Sequence, residues 1–196
     1  MVSFIKATPD YAEQIAEIVY ETSAGVAAKL FDKLIPGVSG KTILGAAFGK
    51  GENAYSTKNV ILSLHQDKVV ALLFAYHARE HRTPALMESL LPAKRINAVR
   101  PVLEQAEPES LYINTIWVDE SLRSKGVGKQ IIKEAARLAK RFGVDKISLF
   151  CWNDNEQALA FYNKNGFEVT KTFPQEALPL EGHDLGGSIL CKQLEK

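Results

Sequence analysis

The 196-residue sequence has few of the features that mark secreted, membrane or nucleic-acid-binding proteins. Two cysteines, Cys151 and Cys191, are too few for a disulfide framework, so we expect both thiols to be reduced. With 24 basic and 23 acidic residues, the formal net charge is only +1, too small to attract nucleic acid or an anionic membrane. No apolar run is long enough for a membrane span, and residues 1–10 lack the apolar core of a signal peptide. The sequence therefore predicts a cytoplasmic protein that binds neither nucleic acid nor membranes.

The sequence also lacks the internal repeats, low-complexity tracts and long linkers that would divide it into several domains. Its length and its hydrophobic content of 46% fit one domain over residues 1–196. Apolar periodicity and turn residues predict strands over 2–7, 60–65, 69–78, 111–118, 146–152, 167–173 and 187–194. They predict helices over 11–19, 26–34, 41–48, 84–105, 125–142 and 156–163, with Thr8 as the first N-cap and Pro9 following it. This order predicts an α/β (α+β) fold, a mixed sheet with helices on both faces.

A glycine-rich turn between the strand 111–118 and the helix 125–142 is the most informative stretch. Residues 123–128 read Arg-Ser-Lys-Gly-Val-Gly. Gly126 and Gly128 allow a ligand close to the backbone, and the unpaired N–H groups at a helix N-terminus favour an anion. Arg123, Lys125 and Lys129 add positive charge around the same point. The turn therefore predicts a phosphate site, and the alternative is a structural turn before a basic, solvated helix face.

A second motif lies further along the chain. Residues 155–167 read Asn-Glu-Gln-Ala-Leu-Ala-Phe-Tyr-Asn-Lys-Asn-Gly-Phe. Together with the Arg-x-x-Gly-x-Gly turn at 123–128, this run resembles the GNAT N-acetyltransferase superfamily. That family places such a turn after its fourth strand, and an Asn, an Ala and a Phe/Leu-Tyr-x-Lys-x-Gly-Phe run after its fifth. One motif alone is weak evidence, whereas both at this spacing are specific.

The resemblance implies a function and a set of site residues. It implies transfer of an acetyl group from acetyl-CoA, a co-substrate, to an amine of a small molecule or peptide, by direct attack in a ternary complex and without a metal. The sheet would be mostly antiparallel, with six or seven strands, and splayed between the fourth and fifth. The coenzyme would bind the backbone of Ile116, Trp117 and Val118, the turn residues Arg123, Ser124, Lys125, Gly126, Val127, Gly128 and Lys129, and the side chain of Asn155. Tyr162 would be the general acid that protonates the coenzyme sulfur.

Two of these residues also have a purely structural interpretation. Tyr162 fits as a core aromatic beside Phe161, on a short helix that must pack against something. Asn155 fits as the N-cap of that helix, a position that Asn fills well. Capping and ligand binding are compatible, because the backbone and the side chain can do different jobs.

The acceptor side leaves a weaker signal. Relatives often carry an acidic base on the fourth strand, where Tyr112 and Asn114 share one face with Ile116, but residues 111–118 contain no carboxylate. The base therefore stays unassigned. The candidates are Glu21, Glu80, Glu109, His183, and His77 and His81, both expected at a rim facing a cleft. The missing carboxylate supports a second hypothesis, a non-catalytic acyl-CoA-binding or regulatory domain, and O-acetylation of an alcohol is a third.

Residues 79–109 form a longer connection between the third and fourth strands than a tight hairpin requires. The segment reads as helical, interrupted at Pro92 and before Pro101. Because long connections in compact domains tend to be lids or contact surfaces, we expect this insertion to cover the acceptor site or to meet a second copy in a homodimer. A packed appendage without a chemical role is the alternative.

Overall fold

The computed structural model describes residues 3–50, 54–178 and 180–195, and its elements follow the predicted order. The strands are β1 (Ile5–Lys6), β2 (Val60–His65), β3 (Lys68–His77), β4 (Leu111–Val118), β5 (Lys146–Trp152), β6 (Glu168–Phe173) and β7 (Gly187–Gln193). The helices are α1 (Ala12–Thr22), α2 (Val26–Phe31), α3 (Gly40–Lys50), α4 (Ala85–Leu90), α5 (Ala93–Asn97), α6 (Arg100–Glu104), α7 (Val127–Arg141) and α8 (Glu156–Lys164). The first strand was predicted from residue 2, which lies outside the described residues. Within the described ranges, no helix has the length and apolar character needed to cross a membrane.

The seven strands belong to one sheet, in the order β1-β2-β3-β4-β5-β7-β6. Antiparallel pairing joins β1 to β2, β2 to β3, β5 to β7 and β6 to β7, whereas β4 and β5 run parallel. The prediction of a mixed, mostly antiparallel sheet is confirmed. The parallel register comprises three pairs, Leu111 with Ile147, Tyr112 with Ser148 and Ile113 with Leu149. The splay expected further along these strands stays a prediction.

The chain divides into two compact units. The first, Met1–Ala75 with Thr115–Ile131, contains α1 and α3, which pack against each other. Their buried side chains recur three or four residues apart, the spacing that places them on one helix face. Phe48 of α3 meets Phe74 of β3 edge-on, with ring centroids 5.2 Å apart. This aromatic contact joins the helical layer to the sheet within the first unit.

The second unit comprises Tyr76–Asn114 and Ile132–Lys196. It contains α4, α5 and α6, the helices expected in the segment 79–109. Leu91, Ile96 and Val99 of this segment are buried, whereas Leu90 is 66% exposed. Most of the apolar side of the segment is therefore covered, which favours a packed element over an open contact surface.

Thr8 stands at the predicted N-cap position, but the prediction that its side chain caps the helix was wrong. Pro9 opens a 3-10 turn, Pro9–Tyr11, as the sequence predicts. The Thr8 hydroxyl, however, donates to the Asp10 carboxylate at 3.1 Å and accepts nothing from the backbone amides. A carboxylate two residues away competes for the short side chain that would otherwise cap the turn.

Two helix boundaries also differ from the prediction because of backbone conformation. α2 ends at Phe31 and not at residue 34, since Asp32 is extended and Lys33 has a φ of 53°. The Tyr20 hydroxyl donates to the Asp32 carboxylate at 2.7 Å and holds this residue in place. α7 begins at Val127 and not at residue 125, because the turn before it contains positive φ angles that a helix does not allow.

Candidate coenzyme and catalytic site

The end of β4 leads directly into the glycine turn, and both lie in the first unit. Residues 116–118 are half-buried. The amide of Asp119 donates to the carbonyl of Val70 at 2.9 Å, which fixes the end of β4 to β3. The Asp119 carboxylate accepts from the Ser121 amide at 2.9 Å and from its hydroxyl, and these bonds lower the pKa of that carboxyl. A stable anion therefore fixes the first bend of the turn.

Several backbone amides have no hydrogen-bond partner among the described residues where the turn enters α7. Ser124 and Gly126 have φ angles of 59° and 80°. The first hydrogen bond of the helix runs from the Gln130 amide to the Gly126 carbonyl at 3.2 Å. The six amides of residues 124–129 consequently donate to no residue that the structure describes. A Cβ placed on Gly126 would meet no atom within 4 Å, so open space adjoins the turn at this residue.

The positive charges of the turn are not equivalent. The Arg123 guanidinium donates to the Glu120 carboxylate at 3.3 Å and to the Val118 carbonyl at 3.2 Å, and the Arg123 amide donates to the Glu120 carbonyl. Arg123 thus stabilises the turn, and its amide is engaged. Lys125 and Lys129 are exposed and form no ion pair with another described residue. The two lysines supply the uncompensated charge.

Taken together, these features meet the physical requirements of an anion site. The N-terminus of a long helix carries about half a positive charge, and α7 has 15 residues. Unpaired amides in series can donate to several oxygens, and the two lysines add electrostatic attraction. A diphosphate, which presents oxygens on two linked groups, matches such a series better than a single small anion.

Asn155 and Tyr162 belong to the second unit, where α8 positions both. Asn155 is the N-cap of α8, and its side-chain oxygen accepts from the Ala158 amide at 3.1 Å. The structural interpretation of Asn155 is therefore correct. Its amide nitrogen, on an exposed residue, makes no hydrogen bond within the described ranges. The side chain can cap the helix and still donate to a ligand.

Tyr162 is held by aromatic neighbours of its own unit. Its ring meets Phe161 and Phe167 edge-on, with centroids 5.3 Å and 5.4 Å away. The side chain is half-buried, and its hydroxyl bonds to no other residue in the described part of the chain. Burial raises the pKa of the Tyr162 hydroxyl above its usual value, and the nearby Cys151 thiol adds to this effect. The hydroxyl is consequently protonated at neutral pH and available as a donor.

His77 and His81 do not face an open cleft, so this expectation was wrong. Both side chains are buried. His77 accepts from the Arg79 amide at 3.2 Å through Nδ1, and its Nε2 lies 3.9 Å from the Glu109 carboxylate. Burial lowers the pKa of His81 to about 4, and both of its ring nitrogens are hydrogen-bonded. A histidine with no accessible nitrogen cannot take a proton from an acceptor.

The remaining candidates for the base lie in different surroundings. Glu21 forms an ion pair with Lys41 at 2.8 Å, and Glu80 is exposed. His183 stacks on the buried Trp152 with ring centroids 3.9 Å apart. Its Nδ1 lies 2.8 Å from an Asp154 carboxylate oxygen. Sequence reasoning missed Asp154 because no local signal links it to a histidine so far along the chain.

A shallow hollow in the second unit is unrelated to these residues. Its volume is about 290 Å³. It is lined by Lys140, Gly143, Val144, Asp145, Leu194 and Glu195. None of the site residues predicted from the sequence belongs to it.

The family model for the acetyltransferase (GNAT) family matches residues 61–167, more than half of the chain. The chain belongs to the acetyltransferase (GNAT) family. The matched range includes the glycine turn and the motif at 155–167, the two stretches that carried the resemblance in the sequence. Membership of the GNAT family is therefore confirmed independently of the local geometry.

Individual GNAT relatives match over part of their sequence or in fold. The uncharacterized N-acetyltransferase YvbK of Bacillus subtilis (strain 168) is 38% identical over 68 residues, covering 35% of this chain and 44% of YvbK. The match thus spans less than half of that relative. The crystal structure of an N-acetyltransferase from Staphylococcus aureus Mu50 is similar with a TM-score of 0.69 at 20% identity, covering 96% and 99% of the two chains. The PaiA N-acetyltransferase from Thermoplasma acidophilum, crystallised in complex with coenzyme A, gives 0.52 at 12% identity, covering 98% and 99%.

Proposed function

We propose that this GNAT-family chain is an acetyl-CoA-dependent N-acetyltransferase that acts on an amine of a small molecule or peptide. The observation that carries the proposal is the series of six amides, 124–129, that have no hydrogen-bond partner among the described residues at the N-terminus of α7, beside open space at Gly126. Family membership supplies the reaction class, and the turn supplies a place for the most highly charged part of the coenzyme.

Coenzyme binding is assigned to backbone groups more than to side chains. The diphosphate binds the amides of residues 124–129, with Lys125 and Lys129 as counter-charges. The pantetheine arm binds the backbone of residues 116–118, and Asn155 donates its amide nitrogen to the arm. Arg123 also fixes the shape of the turn, because its Nε donates to the Val118 carbonyl and its Nη1 to the Glu120 carboxylate.

The reaction needs stabilisation of two developing negative charges. Attack of the amine on the thioester makes an oxyanion, which a fixed backbone N–H of residues 116–118 stabilises at little reorganisation cost. Collapse of that intermediate breaks the carbon–sulfur bond and expels a thiolate. We assign the Tyr162 hydroxyl to this sulfur, where it donates a hydrogen bond and then its proton; the N–H proton that the amine loses on forming the amide passes to water, from which Tyr162 is protonated again.

The raised pKa of Tyr162 is compatible with this role. A free thiol has a pKa of about 8.5. Proton transfer in water from a tyrosine hydroxyl of higher pKa to such a thiolate is therefore unfavourable. Burial, however, raises the pKa of the neighbouring Cys151 thiol to about 11, which shows how this environment acts on a thiolate. A coenzyme thiolate leaving into similar surroundings becomes more basic in the same way and accepts the proton more readily.

One observation favours a second function. An amine with a pKa of about 10.4 arrives protonated and must lose that proton before it attacks, yet β4 carries no carboxylate. A non-catalytic acyl-CoA-binding domain would need no base. O-acetylation of an alcohol is a third outcome, since the coenzyme half of the site does not depend on the acceptor.

Thiol release from acetyl-CoA, measured with a panel of amines and matched alcohols, separates these functions. The proposal predicts release that depends on at least one amine and yields an N-acetyl product by mass spectrometry. Release with alcohols alone would assign O-acetylation instead. Calorimetric coenzyme binding without release across the whole panel would favour the binding domain, and absence of coenzyme binding would overturn all three.

A further inference from the structure

A chain of three hydrogen bonds in the second unit, the central one buried and the other two part-buried, ends at Asn114 of β4. The His81 Nε2 lies 3.0 Å from the Val102 carbonyl of α6, and its Nδ1 lies 3.1 Å from the Tyr76 hydroxyl. The Asn114 side-chain nitrogen lies 3.3 Å from that same hydroxyl. The His81 ring is also stacked on Tyr112, with centroids 3.7 Å apart. None of these residues has a role in the proposed coenzyme site.

The chemistry of the partners fixes the direction of every bond in the chain. A carbonyl oxygen only accepts, so His81 carries its proton on Nε2 and donates it to Val102. Burial lowers the pKa of His81 to about 4, so the ring holds one proton at neutral pH and Nδ1 is an acceptor. The Tyr76 hydroxyl must therefore donate to His81. Its oxygen can then only accept from Asn114, which must present its nitrogen.

This direction determines how the Asn114 amide is turned. With Nδ2 committed to Tyr76, the amide oxygen points to the other side of the group. An amide oxygen has two acceptor positions, so it can receive a ligand N–H beside a protein contact. Along β4, Asn114 precedes Ile116 by two residues, and strand alternation directs both half-buried side chains to the same face. Ile116 is one of the residues whose backbone we assign to the acyl arm.

We propose that Tyr76 and His81 are positioning residues that orient Asn114 so that its amide oxygen accepts an N–H of the acceptor amine. This inference rests on the proposed N-acetyltransferase function. It gives the helical segment between β3 and β4 a chemical role, because the chain is anchored on Val102 of α6. The substrate class is an amine that still carries an N–H when it attacks, that is, a primary or secondary amine.

A double-mutant cycle tests the inference. Tyr76→Phe removes one hydroxyl and keeps the ring, Asn114→Ala removes the oriented group, and the third variant combines both. For each variant, the KM is measured for the amine that the thiol-release panel identifies and, separately, for acetyl-CoA. Tyr76→Phe should raise the acceptor KM about tenfold, the loss expected for one buried hydrogen bond, and should leave the acetyl-CoA KM within about twofold. In the Asn114→Ala background, Tyr76→Phe should have no further effect on the acceptor KM.

A matched control separates positioning from general destabilisation. Ser110→Ala removes another buried hydroxyl of the same unit, which donates to the Glu107 carbonyl and lies 2.7 Å from the Ser148 hydroxyl; neither partner belongs to the chain of bonds from Val102 to Asn114. It should lower stability without changing either KM. Two results in an active enzyme would overturn the inference. One is that the effects of Tyr76→Phe and Asn114→Ala on the acceptor KM are additive. The other is that Tyr76→Phe changes the KM of the amine and the KM of acetyl-CoA equally. A wild-type protein that acetylates no amine would overturn the proposed function first, and the inference with it.

Discussion

The buried, neutral state of His81 makes the stability of the protein depend on pH in a defined window. Its pKa falls from the ordinary 6.5 to about 4 because burial disfavours the charged ring. The unfolded chain therefore binds this proton below about pH 6.5, and the folded protein only below about pH 4. The contribution of the neutral His81 ring to the free energy of unfolding is fully present above pH 6.5 and is lost as the pH falls towards 4. A difference of about 2.5 pH units corresponds to about 3 kcal/mol in the free energy of unfolding.

Urea unfolding of the wild type and His81→Gln between pH 7 and 4.5 measures this contribution. The variant should be less stable at pH 7, because the bonds to Tyr76 and Val102 change. Its stability should also fall less on acidification, by about 2 kcal/mol over this range. The same replacement at the exposed His65 controls for the loss of a histidine as such. Identical pH slopes for wild type and His81→Gln would refute the assignment of a neutral buried ring.

Three further changes test other parts of the site and fold. Tyr162→Phe should lower kcat about a hundredfold or more and leave coenzyme affinity measured by calorimetry nearly unchanged; a variant as active as wild type would remove the acid role. Asn155→Asp should keep the cap of α8 and the stability of the protein but weaken coenzyme binding, whereas Asn155→Ala should also cost about 1 kcal/mol in unfolding free energy. Equal coenzyme affinity in both Asn155 variants and wild type would restrict that residue to capping. Phe48→Ala should destabilise by about 3 to 5 kcal/mol in urea unfolding, because this ring is fully buried against Phe74; a loss below about 1 kcal/mol would contradict that packing.

Strand positions were predictable where local sequence alone determines them. β4 and β5 have the predicted bounds, Leu111–Val118 and Lys146–Trp152, because both are apolar runs bounded by polar turn residues. The end of α2 was not predictable, since it depends on the contact between Asp32 and Tyr20. The start of α7 at Val127 depends on the positive φ of Gly126, which lies inside the range predicted as helix; the positive φ of Ser124 just before that range had no signal in the sequence, because serine rarely adopts it.

The site shows the same division between local and tertiary information. Gly126 indicates an exposed turn from the sequence alone, because glycine is the residue that a positive φ favours. The burial of His77 and His81 was missed, since a histidine at a strand end suits solvent and a satisfied interior equally well. The bonds from His81 to Tyr76 and from Tyr76 to Asn114 join separate elements, so periodicity and motif spacing carry no trace of them.

The diphosphate site at the N-terminus of α7 is tested most directly by calorimetry with coenzyme A and with pantetheine, which lacks the diphosphate. Gly126→Val places a side chain in the open space beside the amides, and Gly143→Val provides the same change at another glycine of positive φ with open space around it. The account predicts that Gly126→Val weakens coenzyme A binding at least about tenfold and leaves pantetheine binding unchanged, while Gly143→Val affects neither. Wild-type affinity of Gly126→Val for coenzyme A would contradict it.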